Sequence, residues 1–64
     1  MTRLRRGGYI FRVWKGDHPP RHVPVFRDGE LVLKWDLDKD KLLAGRLDPA
    51  VIRLIHELEE DGRL

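Results

Sequence analysis

The sequence predicts an α+β domain: a three-stranded antiparallel sheet in the order β-β-β-α, with one C-terminal helix packed on one face. Three observations carry that expectation. Tyr9-Ile10-Phe11-Arg12-Val13-Trp14 is aromatic and β-branched, the composition of a strand. Asp28-Gly29 separates two further apolar runs and is a favoured two-residue hairpin turn. Val51, Leu54, Ile55 and Leu58 recur at i, i+3, i+4 and i+7, one face of a helix.

Residues 1–8 read as a flexible basic arm ending in Gly7-Gly8, and residues 9–64 as a single domain. After the first strand, Gly16 and Pro19-Pro20 impose a loop. Counting outward from Asp28-Gly29 sets Arg27 opposite Glu30, Phe26 opposite Leu31, Val25 opposite Val32, Pro24 opposite Leu33 and His22 opposite Trp35. Side chains alternate, so His22, Pro24, Phe26, Leu31, Leu33, Trp35 and Leu37 share the face to be covered by the helix. Tyr9, Phe11 and Val13 complete that floor. Pro24 lacks an N–H, which predicts a gap in the pairing with the first strand.

Residues 38–41 form a charged turn, and Leu42-Leu43 resembles a short strand ahead of Gly45. The helix starts well: Asp48 suits the N-cap, Pro49 the first turn, and Leu47 can staple onto Ile52. Arg53–Glu57 and His56–Glu60 are spaced to pair on its wet side, and Gly62 suits the C-terminal cap. Glu59-Glu60-Asp61 at the negative end of the helix should promote fraying.

Composition narrows the function classes. A chain of 64 residues buries about 60% of its unfolded surface, enough for one thin core. With no cysteine there is neither a disulfide framework nor a thiolate metal site. No apolar run approaches the roughly 20 residues of a membrane span, so a cytoplasmic protein without membrane contact is expected. The formal charge of +2 hides a division. Residues 1–27 carry seven Lys/Arg against Asp17 alone, whereas residues 28–64 carry six against ten Asp/Glu. Arg3, Arg5, Arg6, Arg12, Lys15 and Arg21 are therefore candidates for contacting nucleic acid or an acidic partner. Ile10, Trp14, Val25 and Val32 remain on the uncovered sheet face, an apolar candidate surface for a protein partner.

Asp17, His18, Pro19, Pro20 and His22 form the one unusual motif. As metal ligands, the two histidines have only Asp17 nearby, and the intervening prolines exclude helical i,i+4 geometry; no metal or other cofactor is expected. His18 and His22 are the candidates for acid–base cleavage of RNA. The structural alternative has Asp17 and His18 closing the loop while His22 lies against Trp35.

This motif resembles the signature of a family of small prokaryotic proteins known as domain of unknown function number four-one-six-zero, in which Asp-His, prolines and His-x-His precede a strand. The resemblance runs from about Tyr9 to Leu58, with Arg21 standing where another proline is common and Pro24 where the last histidine would be. It implies a toxin–antitoxin-like gene context. Together these readings favour a non-enzymatic component of such a pair, binding a second small protein or a second copy of itself. The alternative is an RNA- or DNA-binding protein, or a metal-independent RNA-cleaving toxin using His18 and His22.

Overall fold

The computed structural model describes residues 2–13 and 21–64. Five strands form one antiparallel sheet in chain order: β1 (Thr2–Arg6), β2 (Tyr9–Val13), β3 (His22–Arg27), β4 (Glu30–Asp36) and β5 (Lys41–Gly45). The helix α1 (Pro49–Glu60) follows and packs on one face. The architecture is α+β as expected, but the sheet has five strands rather than three.

The first addition corrects the flexible arm. Thr2–Arg6 pairs with β2 from Thr2↔Val13 to Arg6↔Tyr9 around the two-residue Gly7-Gly8 turn. Leu4, set between Arg3 and Arg5, packs against the core and fixes which face of β1 looks inward. The second addition is the Leu42-Leu43 segment, which becomes edge strand β5. As anticipated, the β2–β3 ladder is short. It consists of Ile10↔Phe26 and Phe11↔Val25 and stops before Pro24.

The hairpin register is the main correction. Asp28 and Gly29 both have positive φ (53° and 79°), and Arg27↔Glu30 and Phe26↔Leu31 pair as counted. The register then slips by one residue: Val25 faces Leu33, Pro24 faces Lys34, Val23 faces Trp35 and His22 faces Asp36, with Val32 left over. The slip places Val23 and Val25, rather than Pro24 and His22, beside Leu33 and Trp35 under the helix. Four apolar side chains then share the covered face, and His22 is turned outward, the side Lys34 already takes between Leu33 and Trp35. His22 accordingly does not lie against Trp35.

Phe11, Val23, Val25, Leu33, Trp35, Val51, Ile55 and Leu58 make the core. At about 1.5–3 kcal/mol for each fully buried large apolar side chain, this cluster is the main favourable term available to so short a chain.

Local capping of α1 follows the sequence. The Asp48 carboxylate accepts from Ala50 N at 3.0 Å, and Pro49 sits in the first turn. At the far end, Arg63 N donates to Leu58 O and Gly62 N to Glu59 O, the two bonds of a Schellman cap. Leu47, however, is 63% exposed and makes no buried staple. The expected i,i+4 pairs give way to longer-range ones. Arg6 reaches Asp61 at 3.0 Å and Glu57 at 3.8 Å, while His56 Nε2 meets Asp40 Oδ1 at 2.9 Å. These contacts tie the acidic end of the helix to β1 and to the β4–β5 turn. Among the described residues no helix is long and apolar enough to cross a membrane.

Gly45 is where the chain leaves the sheet for the helix. Its φ is +83°, and a Cβ there would lie 2.3 Å from the Val32 carbonyl oxygen and 2.7 Å from Leu33 Cα. Both are backbone atoms that cannot swing aside. Gly45→Ala should therefore cost about 3 kcal/mol or more, combining left-handed strain with overpacking. Gly29→Ala, at φ +79° but with nothing within 4 Å, should cost about 1 kcal/mol from the backbone alone. Denaturant titration of both variants checks the difference.

The Asp40–His56 pair gives stability a pH dependence. The Asp40 carboxylate raises the His56 pKa above its ordinary 6.5, and hydrogen bonds from His56 and then Trp35 hold Asp40 below its ordinary 3.8. The histidine contribution is complete below 6.5 and is lost as pH rises through the raised folded value. The aspartate contribution is complete above 3.8 and is lost as pH falls through the lowered folded value. A double-mutant cycle with Asp40→Asn and His56→Gln, run in EDTA, should show coupling at about pH 5 that fades by about pH 9.

Candidate functional site

The sheet face turned away from α1 is built by alternation. Residues opposite one another in neighbouring strands share a face, and Arg3↔Arg12, Arg5↔Ile10, Ile10↔Phe26 and Pro24↔Lys34 trace that face from β1 to β4. Arg3 and Arg5 are exposed; Arg12, Lys34, Ile10 and Phe26 are half-buried. The Arg12 guanidinium lies over the Phe26 ring, 4.7 Å from its centroid, which holds the cation over the aromatic surface. None of Arg3, Arg5, Arg12 and Lys34 forms an ion pair among the described residues.

The acid on this face is already engaged. Asp36, opposite His22, is 3% exposed, and its Oδ1 accepts from Asp38 N and Lys39 N, each at 2.9 Å. Glu57, Glu59, Glu60 and Asp61 belong to the helix and its C-cap, behind the sheet. The acids of the helix therefore lie behind the sheet, with Arg6 among them, while Arg3, Arg5 and Arg12 face the open side.

Several sequence candidates are placed elsewhere. Val25 is fully buried in the core and Val32 packs against it, so the apolar surface expected from Ile10, Trp14, Val25 and Val32 is not assembled. The register slip is the reason. Arg6 is on the helix side, bound to Asp61 and Glu57. Arg21 donates from Nε to Asp38 Oδ1 at 3.0 Å and from its backbone N to Oδ2 at 2.9 Å. Those two bonds, the backbone one first, hold the Asp38 carboxyl below its ordinary pKa. Trp14, Lys15, Asp17, His18, Pro19 and Pro20 lie outside the described residues. His22 is half-buried at the start of β3.

Sequence reasoning missed Phe26 as a surface residue because a regular register put it under the helix; alternation between Leu33 and Trp35 by itself turns Lys34 to the open face, but the residue was not singled out. It also missed the common orientation of Arg3 and Arg5. The signal for those was present: Gly-Gly between two strand-like runs is itself a hairpin turn.

Two other features lie off this face. A groove of about 740 Å³ opens between the β3–β4 turn and the start of α1, and its charges, Arg27 and Arg46 against Asp28, Glu30 and Asp48, nearly cancel. On the helix side, Asp40, His56 and Glu59 bring their ligand atoms within 4.8 Å of one another. No protein-family model, curated protein or solved structure matches the chain.

Proposed function

We propose that the chain binds single-stranded nucleic acid across the open face of its sheet. The observation that carries this reading is the convergence of Arg3, Arg5, Arg12 and Lys34 on one face around Phe26, with the acidic residues of the helix behind it. Alternate residues of a strand are about 6.7 Å apart, so Arg3 and Arg5 offer successive contacts to an extended phosphate backbone. Ile10 and the Arg12 guanidinium resting over Phe26 supply the surface on which bases can stack, a contact that tolerates any sequence.

Size favours a single strand over a duplex. Five strands span roughly 19 Å, and a sheet that wide does not enter a major groove about 12 Å across. The open face can still line up with an extended single strand.

The test is a titration of labelled single-stranded RNA of mixed sequence, with a duplex control, between about 50 and 200 mM salt. Four phosphate contacts predict a slope of log K against log salt of about −3, and Arg3→Gln with Arg5→Gln should flatten it by roughly 1.4. Phe26→Ala should weaken binding by about 1 kcal/mol or more with the slope unchanged. Binding indifferent to salt, or to the paired arginine change, would overturn the reading.

A further inference from the structure

We propose that Asp40, His56 and Glu59 form a surface site for a divalent first-row metal ion, with Zn²⁺ the best-matched occupant. The site is independent of the nucleic-acid face and lies on the helix side of the sheet.

Its donors come from two elements held together by the fold. Asp40 is in the β4–β5 turn, while His56 and Glu59 are three residues apart on α1 and so share a helix face. That i, i+3 spacing of a carboxylate and an imidazole recurs in helical metal sites. His56 Nε2 and Asp40 Oδ1 are 2.9 Å apart, and all three donors lie within 4.8 Å of one another. Ligands about 2.0–2.2 Å from one ion are themselves separated by about 3–3.5 Å. The first two donors already have that spacing, and rotation of the Glu59 side chain brings in the third. When the ion binds, Nε2 gives up any proton it holds to solvent and ligates through its lone pair.

The surroundings favour a cation. Trp35 Nε1 donates to Asp40 Oδ1 at 3.1 Å, the kind of outer contact that orients a ligating carboxylate. The last turn of α1 carries no basic residue, so the negative end of the helix dipole and Glu60 add their field to the site. Arg6 is committed to Asp61 and Glu57, and Glu59 has no ion-pair partner among the described residues. One imidazole with two carboxylates suits Zn²⁺ and its neighbours. The nitrogen argues against Ca²⁺ and Mg²⁺, and the lack of thiolate against Cu⁺.

The test uses the full chain, stripped with EDTA and then exchanged into chelator-free buffer. Zn²⁺ should raise the thermal midpoint in a saturable way and perturb the emission of Trp35, read in a Trp14→Phe background, while Mg²⁺ at the same concentration should do neither. Glu59→Gln removes a donor but leaves the Asp40–His56 bridge. Its metal-free midpoint should match the parent while its Zn²⁺ affinity drops at least tenfold. His56→Ala should abolish the response. The proposal is overturned if Zn²⁺ produces no shift at millimolar concentration, or if the response survives in Glu59→Gln and His56→Ala. A response lost instead in His22→Ala would assign the ion to another site and equally overturn it.

Discussion

The pairing of β3 with β4 slips by one residue between Phe26 and Val25, with Val32 left over on the other strand, and the orientation of the sheet's middle depends on it. Because side chains alternate with a period of two, one extra residue exchanges the faces of everything beyond it. Val23 and Val25 turn under the helix with Leu33 and Trp35, and Pro24 turns out opposite Lys34. A second slip, between Lys34 and Trp35 in the pairing with β5, leaves Leu43 over and keeps Leu42 opposite Trp35. The slip completes the apolar core across β3 and β4, while plain alternation in β1, β2 and β4 puts Arg3, Arg5, Arg12 and Lys34 on the outer face.

The helix is held by complementary means along its length. Val51, Ile55 and Leu58 anchor it in the sheet, while Arg6 and Asp40 grip its exposed acidic half through Asp61, Glu57 and His56. Exposed ion pairs contribute little individually. Here they offset an unfavourable arrangement, acids at the negative end of a helix dipole, which the Schellman bonds alone do not relieve. The same crowding of acid around His56 supplies the field for the proposed metal ion.

The β4–β5 turn connects these parts. Asp36 caps it from within, Arg21 holds Asp38 on one side, and Asp40 receives both the Trp35 indole and His56 on the other. The polar network therefore runs from the start of β3, through the turn, to the middle of α1. Among the described residues, the cations of β1, β2 and β4 on the open face lie outside that network.

The elements legible in the sequence were those governed by neighbours in the chain. The Asp28-Gly29 turn, the Asp48 and Gly62 caps and the apolar stripe of α1 follow from local conformational preference and helical spacing, and the α+β class follows from them. Gly7-Gly8 with its flanking residues carried the same kind of local signal for β1. The slip at Val32 did not, because an extra residue in a ladder is favourable only through the core it assembles with Phe11 and α1. The partners of Arg6, Arg21 and His56 lie 51 to 55, 17 and 16 positions away. Charge spacing along one segment carries no information about such distant neighbours. Residue order determined the pieces and their caps; which side of β3 lies under the helix was decided by packing, since a single step of strand register changes no local preference and inverts every side chain beyond it.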